Sequence, residues 1–121
     1  MLEAMVIADD FSGACDTGLQ FAQAGLQTQV VVDSANELGD GIDVLVATSE
    51  TRNCPRLEAG DRVRQVCDGL KPIIPKLVYK KIDSALRGHL ATEIVAVMRA
   101  LDRDLCLFAP AFPDMGRVTV G

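Results

Sequence analysis

Short apolar runs alternate with longer segments of helical spacing along this chain, and that alternation limits the fold more than any other feature. "EAMVIAD" (3–9), "QTQVVVD" (27–33), "IDVLVAT" (42–48), "KLVYKKID" (76–83) and "LCLFAP" (105–110) each predict a strand, the first too short for a helix and read as buried. Between them, "GACDTGLQFAQAG" (13–25) sets Cys15, Leu19, Ala22 and Leu26 at helical spacing, with Gly25 placed to end the helix. "CPRLEAGDRVRQVCDGL" (54–70) has Pro55 near its start and an apolar stripe of Val63, Val66, Cys67 and Leu70, although Gly60 weakens it. "ALRGHLATEIVAVMRALDRD" (85–104) predicts the strongest helix, with Leu86, Leu90, Ile94, Met98 and Leu101 on one face. "SANELGDG" (34–41) predicts a turn or a short helical piece. Strands apolar enough to be covered on both faces, alternating with helices, predict an α/β fold. The expected architecture is one three-layer, Rossmann-like domain over 1–121, with a mainly parallel sheet flanked by helices.

Aromatic residues are only 4% of the chain, so the core must come from Val, Leu, Ile and Ala. The formal net charge of -5 argues against a nucleic-acid partner recruited by bulk charge. It leaves room for a small anion held by a few local cations. Cys15, Cys54, Cys67 and Cys106 form no CxxC pair and His89 has no second histidine, so no metal site is expected. Cys15 and Cys106 sit in apolar segments and are expected as small core residues. Glu3, Asp9 and Asp10 interrupt the first apolar run, which does not suit a signal peptide. No apolar stretch approaches about 18 residues, so no membrane span is expected. A reduced, cytoplasmic setting fits this pattern.

In an open parallel sheet, ligands bind beyond the carboxyl ends of the strands. Four predicted strand ends carry polar clusters: "ADDFSGACD", "TSETR", "KKIDSALRG" and "APAFPDMGR". In the first, Asp9, Asp10 or Ser12 can cap the following helix. One helix end needs one side-chain cap, which leaves a carboxylate of the Asp9–Asp10 pair to meet sugar hydroxyls or take a proton from one. Arg52 reads either as a solvated loop charge or as a planar fork for a carboxylate or phosphate. In the third cluster, Asp83 or Ser84 can cap the next helix and Lys80 can be a strand-face charge. Lys81 and Arg87 then remain beside a helix amino terminus, a combination that suits a small polar anion. His89 reads as a partly buried helix residue and Arg117 as a surface residue. Neither a Walker A pattern nor "GxGxxG" occurs, and no catalytic residue is assigned.

"VIADDFSGACDTG", "YKKIDSALRGH" and "APAFPDMGRVTVG" together resemble the signature segments of the four-carbon acid sugar kinase family, which includes 3-oxo-tetronate, threonate and erythronate kinases. The resemblance runs through essentially the whole chain. Ser12 and Ala85 stand where the family often has Thr, so a hydroxyl is kept at the first position and lost at the second. The resemblance implies the amino-terminal, sugar-acid-binding domain of a longer two-domain enzyme. In that enzyme ATP, with Mg, phosphorylates the terminal hydroxyl of a four-carbon acid sugar. It also implies that this chain, ending at Gly121 within a family segment, is truncated, is without its nucleotide-binding domain and binds neither ATP nor Mg strongly. Carried over by motif, the substrate-binding candidates are Asp9, Asp10, Arg52, Lys81, Asp83, Ser84 and Arg87. A stand-alone sugar-acid-binding module and an inactive structural fragment that assembles as a homo-oligomer remain the alternatives.

Overall fold

A computed structural model of the chain describes residues 2–32, 38–73 and 75–120. Strand β1 (Ala4–Ala8) leads into helix α1 (Phe11–Gln23) and strand β2 (Thr28–Val31). Strand β3 (Val44–Thr48), helix α2 (Arg56–Leu70), strand β4 (Leu77–Lys81) and helix α3 (Leu90–Ala100) follow. The sheet is wholly parallel in the order β2-β3-β1-β4. The predicted α/β class and the first four strands therefore stand. Half of the predicted turn at 34–41, residues 34–37, lies outside the described residues.

Side-chain alternation sorts the central strands into two cores. Met5, Ile7, Leu45 and Ala47 meet Val63, Cys67 and Leu70 of α2, and Val97 of α3, on one face. Ala4, Val6, Ala8, Val44 and Val46 meet Ala14 of α1, with Phe21, Leu26 and Val30, on the other. All five residues of β1 and of β3 are buried, which explains why these runs are continuously apolar rather than alternating.

The predicted apolar stripe of α1 is a correction. Cys15, Leu19 and Ala22 face outwards, and the buried positions are Gly13, Ala14 and Gly18. The reason is distance: a Cβ on Gly18 would stand 3.1 Å from Val30 Cγ2, so only a side-chain-free face can approach the sheet this closely. The end of α1 agrees with expectation. Gly25 has φ +91, its N–H donates to Ala22 O, and Leu26 N–H donates to Phe21 O. This is a Schellman ending, with Phe21 and Leu26 packed in the same core.

Two further corrections lie near β4. The helix expected from residue 85 begins only at Leu90, after a turn in which Leu86 N–H donates to Asp83 O. Leu86 (φ +60) and Gly88 (φ +94) take left-handed backbone that an α-helix cannot contain, so Leu86 falls outside the stripe. The expected strand at 105–110 forms no ladder: β4 is the sheet edge, and Leu105 and Leu107 are about nine-tenths exposed. Apolar pattern describes a strand's side chains, whereas a strand exists only when its backbone finds a partner. Cys106 lies in this exposed stretch, so neither it nor Cys15 is a core residue. Cys67 is the buried thiol, and burial pushes its pKa up to about 11.

Candidate functional site

Strand β1 leaves the sheet into α1 on one face, and β3 leaves into α2 on the other. The carboxyl ends of these adjacent strands therefore open a crevice, the position where open α/β sheets bind ligands. Backbone bonds extend the β1–β3 pairing past the strands. Ser49 N–H donates to Ala8 O, and the N–H groups of Thr51 and Arg52 both donate to Asp9 O. This fixes Arg52 beside the two aspartates although more than forty positions separate them in sequence.

Arg52 is fully engaged in holding them. Its Nε and Nη2 donate to the two carboxylate oxygens of Asp9, each at 2.9 Å, and its Nη1 donates to Asp10 Oδ2 at 2.6 Å. Hydrogen bonding to Asp9, ahead of the attraction of Asp10 and Asp83, raises the Arg52 pKa and keeps it cationic. Asp9 is buried. Asp10 is partly exposed and also caps α1, accepting from Gly13 N–H at 2.8 Å. The capping ambiguity thus resolves to Asp10, and the free fork expected of Arg52 is corrected to one already filled by carboxylates.

The β4 end builds a second clamp. Arg87 donates through Nε and Nη2 to Asp83, at 2.7 and 3.0 Å, and its backbone N–H adds a third bond at 3.2 Å. These bonds, led by the Arg87 side chain, hold the Asp83 carboxyl well below the usual carboxylate range. Asp83 also lies 3.8 Å from Arg52 Nη2, which links the two clamps into one network. Ser84 meets Arg117, brought back by the turn around Pro113–Met115. Neither Asp83 nor Ser84 caps α3, and no helix pole stands at Lys81 and Arg87, because α3 starts three residues beyond Arg87.

Alternation along β4 separates its two lysines. Lys80 points towards α3 and pairs with buried Glu93 at 2.8 Å, a structural contact. Lys81 lies beside Gly13 near the start of α1 and donates to Ile82 O at 2.6 Å.

Three supports were not marked as site residues by the sequence. Gly88 packs against the first clamp: a Cβ there would lie 3.4 Å from Asp9 Oδ2. His89, which precedes α3, bonds through Nε2 to Cys54 O at 2.7 Å and ties the β4 loop to the β3 loop. Glu50, at φ +49, holds left-handed backbone in the crevice and accepts a bond from Thr48 Oγ1 at 2.6 Å. Non-glycine residues pay about 1–3 kcal/mol for such backbone, which persists where surrounding contacts over-determine it. A cavity of about 320 Å³ opens here, lined by Asp9, Asp10, Glu50, Arg52, Asn53, Cys54 and Arg62. Arg62, from α2, had no local sequence signal, because it reads as an ordinary i,i+4 partner of Glu58.

Residues 4–121 match the model of the sugar-binding N-terminal domain family. The chain belongs to this family. Among relatives of this sugar-binding domain, the D-threonate kinase of Salmonella typhimurium is 40% identical over 120 residues, covering 98% of this chain and 28% of that kinase. The D-erythronate kinase of Heliobacterium modesticaldum is 37% identical, covering 100% of this chain and 28% of the relative. The 3-oxo-tetronate kinase of Escherichia coli is 34% identical, covering 97% and 31%. The chain thus spans about three-tenths of the length of these kinases. A solved structure of a domain of unknown function from Bordetella bronchiseptica, a domain-swapped dimer with bound citrate, superposes with TM-score 0.73 at 33% identity. That superposition covers 80% of this chain and 25% of the other. The homologues are four-carbon acid sugar kinases, and this chain matches their amino-terminal sugar-binding domain only.

Proposed function

We propose that this chain is the substrate-binding part of an ATP-dependent kinase that phosphorylates the terminal hydroxyl of 3-oxo-tetronate, threonate or erythronate. The observation that carries this reading is the sugar-binding family match over residues 4–121. The crevice supports it, since its cavity suits a small ligand and carries carboxylates for hydroxyls beside cations for an acid. Citrate, bound by the Bordetella relative, is itself a hydroxylated carboxylate.

In this reading Arg52 and buried Asp9 form the floor. Asp10, the more exposed aspartate, faces the ligand hydroxyls. Lys81, Asp83, Ser84 and Arg87 close the β4 side. Arg52 fixes both carboxylates in position through its three side-chain hydrogen bonds, and so the aspartates orient hydroxyl groups above them.

ATP and Mg belong to the kinase reaction as a whole, and this reading assigns neither to the residues of this crevice. Asp10 places a carboxylate at the pole of α1 where a phosphate would sit, and Arg52 and Arg87 engage Asp9, Asp10 and Asp83. Among the described residues no group of three His, Cys, Asp or Glu side chains could hold a metal. We therefore assign this chain substrate binding and orientation. The nucleotide-binding domain falls to the part of the kinases that it does not span.

Titration of the chain with D-threonate, D-erythronate and butyrate, followed by NMR, tests the reading. The hydroxylated acids should shift resonances of the crevice at lower concentration than butyrate. Equal response to all three would overturn it. The chain alone should form no ADP above a blank with ATP, Mg and threonate, and substantial turnover would refute the division of labour.

Self-association is part of the same proposal. Among the described residues the β4 edge is unpaired, Leu77 and Tyr79 on it are about half exposed, and the dimeric Bordetella relative is domain-swapped. Light scattering at high micromolar concentration should give a dimer or larger, and a monomer mass would oppose it. Among the described residues no helix is long and apolar enough to cross a membrane. The cytoplasmic placement stays part of the proposal, in keeping with the metabolic kinases it resembles.

A further inference from the structure

A sugar acid differs from a neutral sugar by one carboxylate, which the site must meet with a cation. Arg52 is committed to Asp9 and Asp10, and releasing it would strand Asp9, a buried charge. Arg87 is committed to buried Asp83 in the same way. Lys81 donates into its own loop, and neither Lys81 nor Arg87 lines the cavity above the aspartates.

Arg62 does line it, within the same seven-residue lining as Asp9 and Asp10. Its ties are the weakest of the group. Nη2 donates to Glu58 at 2.9 Å in a pair whose members are both about half exposed. Nη1 reaches Glu50 O only at 3.4 Å. Its remaining donors meet no acceptor among the described residues. An exposed i,i+4 pair contributes little, and Glu58 is rehydrated when released. Arg62 can thus exchange Glu58 for a ligand anion without leaving any charge buried and unpaired. Its planar fork also matches a carboxylate in a way an ammonium does not.

We infer that Arg62 receives the substrate carboxylate and makes the site select acids over neutral sugars. This rests on the sugar-acid reading above and adds to it a residue from α2, outside the four strand-end clusters. Arg52 then serves as the internal counter-ion of the hydroxyl-binding aspartates, and Arg62 as the acid-selecting cation.

NMR titration of the 121-residue chain with D-threonate and with the neutral tetritol D-threitol tests the assignment. Wild type should prefer threonate. Arg62→Ala should weaken threonate binding ten- to a hundredfold, as expected for loss of a charge-assisted pair, while leaving threitol binding within about twofold. Arg62→Lys should restore part of the loss. Arg64→Ala, on the same helix but outside the cavity lining, should match wild type. Unchanged threonate affinity in Arg62→Ala overturns the assignment alone, as does an equal loss for threonate and threitol, which would mark a structural effect. Absence of threonate binding by wild type overturns the functional reading and this assignment together.

Discussion

The two arginine–carboxylate clamps share chemistry and differ in setting. Arg52 is 15% exposed and grips Asp9 across two adjacent strands, whereas Arg87 is 68% exposed and grips Asp83 within one turn of chain. Both carboxylates are buried, so the difference lies with the cations. The first clamp is part of the sheet's architecture, held by backbone bonds from Thr51 and Arg52 to Asp9 O. The second is a loop closure whose cation already stands in water. The same ion pair thus serves as an internal floor at one strand end and as a solvent-facing wall at the next.

The largest expected effect tests the floor. Arg52→Ala would leave Asp9 buried without its partner, and removal of one member of a buried pair costs about 3–5 kcal/mol. Urea unfolding should show that loss, with a clearly smaller one for Arg87→Ala. Equal losses would erase the distinction between the clamps.

Acid should act on the wall. Arg87 lowers the folded-state pKa of Asp83, so the stability that Asp83 contributes is present above its unfolded value of about 3.9. It is lost as pH falls below that value towards the depressed folded one. Asp83→Asn should therefore be less stable than wild type at pH 7, and the gap should narrow on acidification below about pH 4. A gap that stays constant down to pH 2 would mean that the charge of Asp83 contributes nothing.

Gly88 joins the two regions, and its replacement should strain both. At φ +94 an alanine there costs about 1–3 kcal/mol through its backbone, and its Cβ would come into contact with Asp9 Oδ2. Thermal unfolding of Gly88→Ala should report that loss, and a variant as stable as wild type would show that the β4 loop is not held against the floor. The smallest effect belongs to His89→Ala, which removes one bond between the loops, worth about 0.5–1.5 kcal/mol. Hydrogen exchange in residues 83–89 should accelerate while the β1–β3 ladder stays protected. Equal acceleration in both would argue that the regions open as one unit.

Much of this was legible in sequence. Runs such as "AMVIA" and "VLVAT" announced doubly covered parallel strands, and the Asp9–Asp10, Arg52 and Asp83–Arg87 clusters were placed at strand ends, where the structure brings them into one network. The misreadings share a cause. The buried face of α1 is Gly13, Ala14 and Gly18, which a hydrophobic stripe cannot reveal because the signal there is the absence of side chain. Leu86 fits the apolar spacing of the helix that follows, yet it and Gly88 carry left-handed backbone, and 105–110 have strand-like pattern without a ladder.

The chain's own order of residues determined the strand and helix periods, the parallel class and the side of the sheet on which polar groups collect. Those properties follow from local periodicity and from the direction in which every parallel strand runs. Tertiary structure alone decided which of those groups are occupied. Whether Arg52 is a free fork or a filled one depends on the register of β1 against β3, and whether Lys80 faces a ligand or Glu93 depends on where α3 packs. Charge pairing is a property of distance through space, and the sheet is what converts residues forty positions apart into neighbours at hydrogen-bonding range.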